Sequence, residues 1–155
     1  MNNRKVNIII GIISAVAAVV TIFVLFATCF GPSNSVMGYP SSFGSCFDVM
    51  FGAHGYSGVP ALVTAFVLQI VAAVFLLIGA ILPGKLGTFG LGIGTLAIVV
   101  AGVLWFMAPN LFLSINKVNP DAEQVVAGVG NILTGVFCLV SGLLGAYGAY
   151  RAFKA

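Results

Sequence analysis

Residues 60–108 read PALVTAFVLQIVAAVFLLIGAILPGKLGTFGLGIGTLAIVVAGVLWFMA. Two runs of more than twenty apolar residues flank Pro83-Gly84-Lys85, and neither contains a charge. A run of about 20 apolar residues is the length that crosses the hydrocarbon core of a bilayer as a helix. Pro83-Gly84 stops the first helix and turns the chain. The two runs therefore predict antiparallel neighbouring helices joined by a tight hairpin.

Working outward, the same pattern recurs on both sides. One apolar run extends from Val6 to about Thr28, and another from Pro120 to about Ala149. The expected spans are 6–28, 60–82, 86–108 and 120–149, with connecting loops at 29–58 and 109–119. The runs are continuous rather than alternating, which excludes a membrane β-barrel. In lipid every backbone amide needs a partner, so each run must be helical. The expected fold is all-α: a single domain forming an up–down, four-helix transmembrane bundle.

Composition agrees. Of 155 residues, 61% are hydrophobic and only 6% charged, against about 25% charged in a soluble domain. The charges also sort by segment. Arg4, Lys5, Lys85, Arg151 and Lys154 lie in the first, third and fifth polar segments; Asp48, Asp121 and Glu123 lie in the other two, with Lys117 the one basic exception. Basic loops stay on the cytoplasmic side, so both termini are expected in the cytoplasm of a cell, with 29–58 and 109–119 outside. The dispersed cations form no phosphate-tracking stripe, and nucleic-acid binding is not expected.

Pairing the runs suggests two in–out–in hairpins as an internal repeat. Gln69 of the second run aligns with Asn131 of the fourth, and Val74-Phe75 with Val136-Phe137; Gly11-Ile12 of the first aligns with Gly92-Ile93 of the third. Small residues recur at four-residue spacing: Ser14 and Ala18; Gly90 and Gly94; Thr134, Cys138, Gly142 and Ala146. Such stripes let helix backbones approach closely in lipid. Gln69 and Asn131 form the strong polar pair at membrane depth. Each is expected to face protein, hydrogen-bonded to the other or to a backbone carbonyl, or else to line a polar constriction.

No ionisable residue falls at membrane depth, since Asp121 and Glu123 belong to the first turn of the fourth run, expected above the outer surface; this argues against a proton-coupled pathway. No Ser–His–Asp set, Cys–His pair or paired carboxylate occurs, so no catalytic residue and no enzyme activity is expected. Cys46, Asp48 and His54 match no familiar metal spacing, and Gly90-Leu-Gly-Ile-Gly94 lacks the strand and the third-glycine spacing of a dinucleotide site. No metal and no cofactor is expected. Cys29 and Cys46 are a candidate disulfide on the outer side, the alternative being two buried free thiols. A cleaved signal sequence is not expected from so long a first run.

The first outer loop is the candidate for specificity. Ser45-Cys46-Phe47-Asp48 reads as a capping box with Gly52 as a helix stop. Phe43, Phe47, Asp48, Met50 and Phe51 form an expected outer-loop interface. Trp105, Phe106 and Phe112 read as an aromatic belt.

The Phe47-Asp48-Val49-Met50-Phe51-Gly52 run, in the outer loop of a four-helix chain, resembles uncharacterised small tetraspan membrane proteins of Gram-positive bacteria. That resemblance implies the topology and no activity. The layout is also similar to claudin-like tetraspans, but their first-loop Trp…Gly-Leu-Trp…Cys…Cys signature is missing. No Asn-x-Ser/Thr acceptor occurs in the chain, in keeping with a bacterial cell membrane. The expected function is that of a non-enzymatic accessory or scaffold subunit acting through lateral helix and outer-loop contacts. Its partners would be membrane lipids and another membrane protein, or itself as a homo-oligomer. The alternative is a small oligomeric channel or transporter subunit for a neutral or apolar solute.

Overall fold

The computed structural model describes residues 3–32, 44–53, 55–116 and 125–154. Four long helices make the body: α1 (Asn3–Val24), α3 (Pro60–Ile81), α4 (Gly84–Phe106) and α6 (Val129–Lys154). Two shorter helices, α2 (Cys46–Phe51) and α5 (Ala108–Ile115), lie in the connections, with two three-residue strands, β1 (Phe30–Pro32) and β2 (Val125–Ala127). The four long helices are long and apolar enough to cross a membrane.

They pack as a ring in chain order: α1 on α3, α3 on α4, α4 on α6, and α6 back on α1, with little contact across the diagonals. The buried positions fix this geometry. On α3 they are Leu62, Ala65, Gln69, Ala72, Leu76 and Gly79. On α6 they include Asn131, Thr134, Cys138, Ser141, Gly145 and Gly148. Steps of three and four alternate, the 3.5-residue period of left-handed helix packing. Apart from Leu62 and Leu76, the residues on these buried faces are small or polar. Large apolar side chains such as Phe23, Leu86, Phe89, Leu96 and Leu143 point outward. An apolar exterior this continuous suits hydrocarbon better than water.

Where side chains vanish, backbones touch. A Cβ built on Gly79 would strike the Leu91 amide nitrogen, and one on Gly90 would sit 2.8 Å from the Gly79 Cα. The α3–α4 hairpin closes at Gly84, whose φ of +66° suits a residue without a side chain.

The connections differ from the sequence expectation in four places. The first span ends at Val24 rather than Thr28. Leu25, Phe26 and Ala27 donate to carbonyls three residues back, a tightened last turn, and Thr28 then bridges to Ser45. The fourth span runs from Val129 to Lys154 instead of 120–149. Val125–Ala127 is extended and pairs antiparallel with β1, Phe30 opposite Ala127, as suits β-branched valines. The expected start of the fourth span at Pro120 lies outside the described residues, as do Asp121, Glu123, His54 and Phe43. Pro109 starts a helix rather than a loop: it stands in the first turn of α5, where its missing N–H is no loss. Finally, Trp105 and Phe112 are not a belt. They are 0% and 1% exposed, and only Phe106 of the three faces out.

Helix α2 has its capping box. The Asp48 carboxylate accepts from the Ser45 N–H at 2.8 Å, and Ser45 Oγ accepts from the Asp48 N–H at 3.3 Å. Gly52 ends the helix at φ +89°.

Candidate functional site

Gln69 is the point where all four long helices meet. It follows Pro60 by nine residues on the buried face of α3 and is completely enclosed. Its Oε1 accepts from Trp105 Nε1 of α4 at 3.1 Å. Its Nε2 donates to Thr21 Oγ1 of α1 at 2.8 Å and to Cys138 Sγ of α6 at 3.8 Å. Thr21 passes its own proton to the Ala18 carbonyl at 2.6 Å. One amide thus carries one contact to each other helix. The desolvation cost of a buried amide is met only because each of these groups is present.

Asn131 is separate. Its Oδ1 accepts from the Gly128 N–H at 2.9 Å, capping the helix it stands on, and its Nδ2 donates to the Trp105 carbonyl at 3.5 Å. Gln69 and Asn131 are not bonded to each other. Trp105 stands between them, offering its indole N–H to one and its backbone oxygen to the other. Asn131 meets the expectation of a backbone carbonyl partner; Gln69 found side chains.

A second polar contact ties α1 to α6. Ser14 Oγ donates to the Ser141 carbonyl at 2.7 Å, and Ser141 Oγ donates to the Ser14 carbonyl at 2.8 Å. Each serine closes the other's bond, so neither hydroxyl faces hydrocarbon. Ala18 is buried beside Ser14 on the same face. Gly90 and Gly94 lie against α3: a Cβ on Gly94 would meet the Leu76 amide at 2.9 Å. Thr134, Cys138 and Gly142 are buried on α6, but Ala146 is exposed. A strict four-residue step turns about 40° around a helix each time. Three steps from Thr134 therefore carry Ala146 off the packed face, and Gly145 and Gly148 take its place.

At the opposite end from the α3–α4 hairpin, the connections form a cap. Cys29 and Cys46 are buried free thiols. They touch: the hydrogen bond with Cys46, then burial, then charge repulsion from Cys46 push the Cys29 thiol far above its ordinary range. The contact follows from the backbone, where Cys29 N–H donates to Gly44 and Cys46 N–H to Ala27. The expected outer-loop residues divide between two faces of α2. Val49 and Met50 are buried with Cys46, and Asp48 is occupied by the cap. Phe47 and Phe51 project the other way, the Phe47 ring tilted against Phe26 at 4.8 Å and edge-on to Phe66 at 5.5 Å between centroids. Phe51, Phe23 and Phe26 are well exposed, so this end carries an outward aromatic patch.

Asn116, which the sequence did not single out, clasps the cap. Its Oδ1 accepts from the Ser57 N–H at 2.8 Å and its Nδ2 donates to the Ser57 carbonyl at 2.9 Å. Tyr56 packs on Phe112 beside it, 5.4 Å between rings. Nothing in the sequence alone pairs residues so far apart. Among the described residues, no three His, Cys, Asp or Glu side chains gather to hold a metal.

The geometry defines a class, a four-helix bundle of membrane-spanning type with a hydrogen-bonded polar core. Comparison with protein-family models, curated proteins and solved structures finds no match for this chain.

Proposed function

We propose that this chain is a non-enzymatic multi-pass protein of a bacterial cell membrane, an accessory or scaffold subunit that works through lateral helix and outer-loop contacts. The observation that carries the reading is the Gln69 amide, both ends of which are spent on Trp105, Thr21 and Cys138. A solute path needs polar groups free to exchange partners; here they hold the helices together. The basic residues, gathered in the N-terminal, hairpin and C-terminal segments, support cytoplasmic termini. The ring order supports the two-hairpin repeat, since α1 stands opposite α4 and α3 opposite α6, as an axis along the membrane normal requires.

The contact surface of this reading is the aromatic patch of Phe23, Phe26, Phe47 and Phe51, against another membrane protein or a second copy. Photo-crosslinkers at Phe51 and at Leu96, a hairpin-distant apolar site, test it in intact cells. A discrete adduct from Phe51 and only lipid from Leu96 is the expected result; lipid alone from both sites would end the scaffold reading. The conduit reading has its own test in the sole tryptophan. In a dry core, Trp105 emission resists quenching by aqueous iodide. Efficient quenching would put water beside Gln69.

A further inference from the structure

The hairpin end of the bundle contains a cleft of about 310 Å³ between the ends of all four long helices, lined among others by Asn7, Ile8, Ala80, Gly87, Thr88 and Leu91. That volume lies at the lower limit of small-molecule sites, about 300–1,000 Å³. Three features set it apart from a packing defect. The Oδ1 of Asn7 is buried with no hydrogen-bond partner in the bundle, an acceptor left uncompensated until something donates to it. The first turn of α4, which forms part of the wall, has no side-chain cap, so no side chain competes for its leading amides. And Lys5, Lys85, Arg151 and Lys154 all belong to this end, while Asp48, Asp121 and Glu123 belong in sequence to the opposite connections.

We infer that the cleft binds one phospholipid of the adjacent leaflet, of the class with an anionic phosphodiester headgroup bearing a free hydroxyl. The phosphate meets the α4 amides and Lys85, an exposed cation. The headgroup hydroxyl donates to Asn7 Oδ1 after a turn about the last side-chain torsion, which is soft for an amide. The first acyl carbons lie on Ile8, Ala80 and Leu91. Charge complementarity selects this occupant over a zwitterionic lipid, because the end of the bundle that holds the cleft carries the basic residues and no acid. The inference rests on the membrane-spanning reading alone and stands whether or not the protein is a scaffold.

Native mass spectrometry of the full chain in mild detergent tests it, with phosphatidylglycerol, phosphatidylcholine of the same chains, and glycerol 3-phosphate as probes. Phosphatidylglycerol is expected to bind about tenfold more tightly than phosphatidylcholine (about 1.4 kcal/mol), and glycerol 3-phosphate is expected not to displace it. Thr88→Trp, which fills the cleft, and Asn7→Leu should each bring phosphatidylglycerol down to the phosphatidylcholine level. Lys85→Gln, at an exposed position that folding does not need, should reduce the preference several-fold. Trp105 emission reports whether Asn7→Leu and Lys85→Gln are folded, and circular dichroism does so for Thr88→Trp, which adds a second tryptophan. Equal binding of the two lipids, a Lys85→Gln chain with its preference intact, or displacement by glycerol 3-phosphate would each overturn the inference, the last by pointing to a soluble anion.

Discussion

Replacing Gln69 by Leu keeps the side chain's approximate bulk and removes its three hydrogen bonds, to Trp105, Thr21 and Cys138. Hydrogen bonds between helices in a membrane average about 0.6 kcal/mol each and reach about 1.7. Three at the average sum to about 2 kcal/mol. The leucine recovers little of this, because the separated helices are already in lipid and gain no hydrophobic term on association. The Trp105 N–H is left in a closed core without an acceptor. Equilibrium unfolding in mixed micelles with rising SDS, followed by circular dichroism so that variants lacking the single tryptophan are read on the same scale, measures the loss. A cycle with Trp105→Phe isolates the indole bond, with a coupling near 1 kcal/mol expected. Independent sites add to within about 0.3–0.5 kcal/mol. If Gln69→Leu is as stable as the parent, or the two changes simply add, the amide does not hold the helices together and the argument from it fails.

Other changes have definite outcomes. Gly79→Val pushes a side chain into the Leu91 backbone, where neither helix can yield, and should cost more than about 3 kcal/mol or prevent assembly in the same SDS titration. Asn116→Leu removes both bonds to Ser57 and should speed hydrogen exchange at the Ser57 amide about tenfold or more while leaving the long helices protected. Cys29 and Cys46 should resist a membrane-impermeant maleimide in the folded protein and react after SDS unfolding with no reductant present. A disulfide would instead require reduction first. Because the Cys29 pKa is raised on folding, the folded state keeps a proton that the unfolded state loses near pH 8.5. That contribution to stability is complete below this pH and declines above it, so the SDS midpoint should fall between pH 8 and 10, and less so in Cys29→Ser.

The sequence was explicit about the medium and silent about the partners. Length, hydropathy and the Pro83-Gly84 stop suffice for four helices, because continuous apolar runs in a bilayer leave the backbone no other arrangement. The capping box of α2 was legible for the same kind of reason: Ser45 and Asp48 sit three residues apart, and the bonds are local. Trp105 was misread because a tryptophan near a helix end has two good homes, the interface and a core with an acceptor. Only Gln69, thirty-six residues away, decides between them. Asn116 and Ser57 are further apart still. Val125–Ala127 was read as the start of a helix because its strand partner, Phe30–Pro32, lies across the whole bundle in sequence.

Which face of each helix packs is a different matter, and hydropathy cannot answer it. In water the buried stripe is the apolar one; here both faces are apolar, and the packed face is the one with less side chain. Ala146 exposes the distinction. Read at fixed four-residue spacing it belongs with Thr134, Cys138 and Gly142; read at the 3.5-residue period of the ring, Gly145 replaces it. The two readings part on a pair of substitutions. Gly142→Leu drives a side chain onto Val99, whose Cγ2 already lies 2.6 Å from a Cβ at that position, and should cost about 1–3 kcal/mol or more. Ala146→Leu extends into the surrounding hydrocarbon and should stay within about 0.5 kcal/mol of the parent. Equal destabilisation by both would return Ala146 to the interface and would mean that α6 turns a different face to its neighbours.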